Sequence, residues 1–106
     1  MAQSYNKHEI INIVSRYADA IRTEITVNKI FLYGSYSKGN PQSDSDIDVA
    51  VISPDFSGDI IEDQILLMKY RRNIDLRIEP KPFRPEEFDS MNPFVREILN
   101  TGIEVQ

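Results

Sequence analysis

The chain has 106 residues, room for one modest core and no separate substrate module, so it reads as a single domain over residues 1–106. A formal net charge of −5 leaves no basic face to neutralise a phosphate backbone, which argues against direct nucleic-acid binding; the lack of cysteine excludes disulfides, thiolate metal sites and cysteine nucleophiles. No apolar stretch approaches the ~18 residues of a membrane span and the first residues lack a signal-peptide core, so a soluble, cytoplasmic protein without a membrane partner is expected.

Apolar residues at Ile10, Ile13, Val14, Tyr17, Ala18 and Ile21 recur at helical spacing and predict an amphipathic helix from Lys7 to about Ile25. Asn6 suits its N-cap, with Glu9 as capping-box partner. Val27 to Tyr33 reads as a strand ended by Gly34, and Ser35 to Lys38 as a short helical turn stopping near Gly39-Asn40-Pro41. Pro41 to Ser45 is a loop, and Asp46 to Ile52 a second strand closed by Ser53-Pro54. Asp59 to about Arg71 reads as a helix with Ile61, Ile65, Leu66 and Met68 facing inward. Ile74 to Ile78 alternates apolar and polar residues like a strand with one solvated face, and Pro80, Pro82 and Pro85 then enforce an irregular connection. Pro85 opens a short helix through Phe88, and Asn92-Pro93 starts a last helix ending at Gly102. The expected fold is α/β (α+β): a small mixed sheet of three or more strands flanked by helices.

The informative stretch is Gly34-Ser35, ten residues, then Asp46-Ile47-Asp48 opening an apolar β-branched run. Side chains two apart on a strand share a face, so Asp46 and Asp48 project together about 7 Å apart. Paired carboxylates are costly without a cation between them, and Mg²⁺ suits an all-oxygen shell completed by substrate phosphates. Upstream, Gly34 allows close backbone approach to a phosphate, while the Ser35 hydroxyl and the first N–H groups of the next helix can donate to its oxygens. A phosphate cradle beside a metal-binding carboxylate pair points to phosphoryl or nucleotidyl transfer.

Plainer readings stand beside this one. Asp46 and Asp48 could be turn residues entering a strand. Asp44, Asp46 and Asp48 imitate an EF-hand opening, but Val49 stands where a flexible glycine is required and Asp55 where a bidentate Glu belongs. Gly34 to Gly39 imitates a P-loop, but Asn40-Pro41 follows in place of Lys-Ser/Thr. Asp75, expected in the third strand beside the pair, is either a solvated residue paired with a neighbouring charge or the further carboxylate of a two-metal site, serving also as general base. Lys38 and Arg77 are surface charges or phosphate contacts. Arg71 and Arg72 suit a helix C-terminus, and His8 sits alone in a first helical turn.

The pattern of Gly34, Ser35, Asp46 and Asp48, with Lys38-Gly39 inside it and Ser45 just before the pair, resembles the signature of the DNA polymerase β-type nucleotidyltransferase superfamily. The short chain resembles its minimal (MNT) branch, antitoxins of HEPN/MNT toxin–antitoxin pairs. The resemblance implies that Gly34, Ser35, Lys38 and Ser45 bind the nucleotide and that Asp46, Asp48 and Asp75 are catalytic and hold Mg²⁺, two ions being expected. It further implies that ATP is the substrate, that a HEPN-domain RNase toxin is the partner in a hetero-oligomer, and that AMP passes to a toxin hydroxyl, a tyrosine in that family. Two other readings stay open: a non-catalytic antitoxin that acts by binding, and a small-molecule nucleotidyltransferase of the aminoglycoside-modifying kind. The acidic chain would suit a basic RNA-binding partner.

Overall fold

The computed structural model describes residues 6–39 and 45–105. The first helix, α1 (Lys7–Ile21), buries the expected stripe Ile10, Ile13, Val14, Tyr17, Ala18 and Ile21. It ends a turn earlier than the spacing predicted. The Asn6 side chain accepts a hydrogen bond from the Glu9 amide at 3.2 Å, satisfying one of the orphan donors of the first turn. Strand β1 (Lys29–Tyr33) leads through Gly34 into α2 (Ser35–Lys38), which closes on Gly39 at a left-handed φ of 82°. The loop expected over Pro41 to Ser45 lies outside the described residues except for Ser45. Strand β2 (Ile47–Ile52) follows, and Asp46 stands just ahead of it rather than within it.

Helix α3 (Ile60–Arg71) is capped by Asp59, whose carboxylate accepts from the Ile61 and Glu62 amides. Its orientation corrects the sequence reading. Asp63 and Leu67 point inward and Leu66 packs against the same core as expected, whereas Ile61 and Ile65 are 70% and 65% exposed and Met68 is only partly buried. The buried Asp63 carboxylate accepts from the Ser57 amide and hydroxyl and the Gly58 amide, so it fastens the loop ahead of the helix. That network holds the face inward at the expense of two isoleucines.

The third strand is also displaced. The residues of the alternating run Ile74 to Ile78 form a turn until the last of them, and β3 spans Ile78–Phe83, through both prolines. Among the described residues the sheet has four strands in the order β3-β2-β1-β4, so β3 lies at an edge. Pro80 and Pro82 occupy alternate positions of it. Along a strand, alternate backbone groups point to opposite sides; the Arg77 carbonyl accepts from the Ile47 amide of β2, and the Phe83 carbonyl from Ser53. The nitrogens of residues 80 and 82 therefore point away from β2, where an absent N–H costs no ladder bond. The outward carbonyls of Ile78 and Pro80 accept from the side chains of Arg71 and Gln64, at 2.9 and 2.7 Å.

Strands β2 and β3 are parallel, and β2 and β1 antiparallel. A single-turn helix at Pro85–Glu87 leads to α4 (Pro93–Thr101), capped by the Asn92 side chain on the Phe94 amide. The short strand β4 (Ile103–Glu104), which the sequence did not announce, pairs antiparallel with β1. Two apolar clusters sandwich the sheet. Ile30, Leu32, Ile47, Val49, Val51 and Ile78 pack with α1 and Leu67 of α3, while Phe31, Ala50, Ile52 and Phe83 pack with Val95 and Ile98 of α4. No helix among the described residues is long and apolar enough to cross a membrane.

Candidate active site

The alternation of β2 decides where its carboxylates lie. Val49 and Val51 face the α1 side, so Asp48 shares the α4 side with Ala50 and Ile52. Register sets two neighbours beside it: Tyr33 across in β1 and Glu79 across in β3. Asp48 is half-buried at the polar end of an otherwise apolar face, with Asp46 and Glu79 exposed around it. Burial, then the charges of Asp46 and Glu79, push the Asp48 carboxyl up from 3.8 to about 6. The same crowding acts on Tyr33, whose hydroxyl is pushed up to about 12 by burial and then by Asp48 and Glu79. The Tyr33 ring meets Phe94 of α4 edge to face at 5.6 Å, which holds it at the margin of the carboxylate group.

Gly34 stands directly against Asp48. A Cβ built on it would lie 2.3 Å from Asp48 Oδ2, and its φ of 79° is one that L side chains rarely adopt. The glycine is thus required twice, for its backbone turn and for the space its missing side chain leaves to the carboxylate. Ser35 is the first residue of α2, half-exposed next to that contact. The Ser37 hydroxyl donates to the Gly34 carbonyl at 3.0 Å, tightening the turn.

Asp75 is placed differently from its two expected companions. It lies in the turn before β3, not in the strand, and both its oxygens accept from Arg77 at 2.8 to 3.0 Å. The hydrogen bonds from Arg77 hold its carboxyl below the usual carboxylate range. Arg77 in turn donates to the buried Tyr36 hydroxyl at 3.2 Å, so the pair ties the entry of β3 to α2. Glu79 is the carboxylate that the structure sets beside Asp48. Sequence reading stopped short of it because the prolines appeared to end the strand; continuing the alternation would have put Arg77, Glu79 and Lys81 on one polar face.

Lys38 is exposed and paired with Glu97 of α4 at 3.2 Å, and Ser45 is partly buried just ahead of Asp46. Among the described residues no group of three or more His, Cys, Asp or Glu side chains converges closely enough to hold a metal ion as they stand. The donor set nonetheless fits a hard cation. An all-carboxylate cluster whose central member resists ionisation is one that a divalent ion relieves.

The chain is similar to known proteins over most of its length. Residues 14–103 match the family model of the nucleotidyltransferase domain, a span running from within α1 to the start of β4. A Methanocaldococcus jannaschii protein named "putative protein adenylyltransferase" is 27% identical over 101 residues, covering 92% of this chain and 99% of the relative. The crystal structure of a "putative nucleotidyltransferase" from Sulfolobus solfataricus superposes with a TM-score of 0.67 at 11% identity, over 92% of this chain and 80% of that one. A toxin–antitoxin structure with AMP-PNP superposes with a TM-score of 0.61 at 24% identity, over 96% of this chain and 73% of that one. A mutant of the MntA–HpeT toxin–antitoxin gives 0.58 at 22% identity, over 96% and 73%. The chain that folds Gly34 against Asp48 in this way belongs to the nucleotidyltransferase domain family and is a nucleotidyltransferase.

Proposed function

We propose that this chain transfers AMP from ATP to a tyrosine hydroxyl of a partner HEPN-type RNase toxin, and so acts as its antitoxin. The carrying observation is the crowding of Asp46, Asp48 and Glu79 beside the Gly34 turn, with Asp48 held near a pKa of 6. The name of the M. jannaschii relative and the toxin–antitoxin structure with AMP-PNP support the reading of substrate and partner.

Asp46 and Asp48 would hold Mg²⁺, with Glu79 in the third place expected of Asp75. Bound Mg²⁺ supplies charge that offsets the negative charge on the phosphates and on the departing pyrophosphate. The residues do the rest. Ser35 and the α2 amides donate to phosphate oxygens while Gly34 lets the backbone come close. The acceptor hydroxyl attacks the α-phosphorus; an O–P bond to the acceptor forms as the bond to pyrophosphate breaks. Glu79, exposed at the edge of the cluster, accepts the acceptor's proton. Asp75 is committed to Arg77, and through it to the position of Tyr36 and α2.

The test is incubation of the chain with ATP, Mg²⁺ and the protein encoded beside it, read by mass spectrometry of the intact partner. A gain of one AMP that disappears with Asp46→Asn or Asp48→Asn is expected. An unmodified partner whose toxicity the wild-type chain still suppresses would replace this reading with neutralisation by binding.

A further inference from the structure

Helix α3 carries an apolar stripe that the fold leaves uncovered. Ile61, Ile65 and Met68 fall at i, i+4 and i+7, and with Ile60 they line an open groove of about 650 Å³. Ile60 is 58% exposed, and the two other isoleucines are more so. Scattered exposed apolar residues are ordinary, but a continuous stripe on one helix face marks an interface.

The charges around the stripe specify what fits it. Asp59 and Glu62 stand at its N-terminal end, Lys69 and Arg72 at its C-terminal end. At 100° per residue, Glu62 and Lys69 lie on the same flank, and Arg72 prolongs the stripe itself. Among the described residues Glu62 and Arg72 make no ion pair, and Lys69 pairs with the exposed Glu24 alone. A twofold axis perpendicular to α3 and beside it, level with the midpoint between Glu62 and Lys69, passes next to Ile65. Antiparallel packing across that axis sets Glu62 against Lys69, twice, with Arg72 at each end of the apolar seam. It also brings Ile65 near its own copy and Ile61 near Met68 of the second copy.

We propose that two copies of this chain associate through α3, antiparallel and isologous. A closed twofold contact of this kind uses one self-complementary patch, and a helix acidic at one end and basic at the other is such a patch. Because α3 packs on the sheet face opposite Asp48, both carboxylate sites stay open in the dimer. The inference does not depend on the proposed substrate or partner.

Sedimentation equilibrium of the full chain tests it, with dimers expected below roughly 100 µM. Ile65→Glu, at an exposed position, is expected to give a monomer with an unchanged circular dichroism spectrum that melts as the wild type does when diluted below the dimer range. Glu62→Lys and Lys69→Glu each break a symmetric set of contacts and should weaken association roughly tenfold. Combining the two reversals should restore it. A wild-type monomer at that concentration, a dimer that survives Ile65→Glu, or a double reversal that stays dissociated overturns the proposal.

Discussion

Replacing Asp48 by Asn tests the electrostatics of the site without reference to catalysis. In the folded chain the carboxyl is pushed from 3.8 to about 6 by burial and by Asp46 and Glu79, so ionising it costs folding free energy. Above pH 6 that cost is fully present. As pH falls from about 6 towards 4, the native state takes up a proton that the unfolded chain does not, and the cost disappears. Fully converted, the displacement corresponds to about 3 kcal/mol. The side chain is only half-buried, so screening by water reduces this to about 1–2 kcal/mol. Asp48→Asn, similar in shape and always neutral, should therefore stabilise the metal-free protein by about 1–2 kcal/mol at pH 7.5 and by almost nothing at pH 4. Urea unfolding of both proteins at the two pH values, with EDTA present, gives the difference directly. A gain that is absent at pH 7.5, or equal at both pH values, would refute the claim that Asp48 is destabilised as a carboxylate.

Gly34→Ala should cost several kcal/mol and most of the transfer activity, because its Cβ meets Asp48 Oδ2 and its φ is positive; denaturant unfolding checks the first and adenylylation the second. Glu79→Gln should abolish transfer while the chain still melts as wild type does. Asp75→Asn should retain measurable transfer but lose about 1 kcal/mol of stability with the Arg77 contacts; the reverse pattern would return the third catalytic place to Asp75. Millimolar Mg²⁺ with ATP should raise the melting temperature, by about 2.7 kcal/mol of stabilisation at 100 times the dissociation constant. Ser35→Ala should reduce that response without removing it, since the α2 amides remain.

What was legible in the sequence follows from how local each signal is. The stripe of α1, its Asn6 cap, the helix starts at Asp59 and Asn92-Pro93 and the turn at Gly34 are set by residues within a few positions of one another, and all are found in the structure to within a residue. The face of α3 was not legible, because apolar residues surround it and the choice is made by burying a charged residue, Asp63, on Ser57 and Gly58 of the loop just ahead, which apolar spacing does not foresee. The position of β3 was hidden for a related reason. Prolines argue against a central strand, and only the sheet order reveals that β3 lies at an edge with their nitrogens turned outward. With that strand misplaced, Asp75 was expected beside Asp48, where the structure sets Glu79. The register of β2 with β3, which no local pattern records, is what sets Glu79 beside Asp48.

The prolines of β3 also govern what this sheet can recruit. An exposed edge strand ordinarily offers a row of donors and acceptors on which a foreign chain can build a further strand. Here positions 80 and 82 have no donor to offer, and the outward carbonyls of Ile78 and Pro80 are already engaged by Arg71 and Gln64. A partner peptide cannot annex itself as a strand next to Glu79, and neither can a misfolded copy. A protein acceptor of the kind proposed would therefore reach the carboxylates side chain first, at the polar end of the face that holds Asp48, with its backbone held by some other surface.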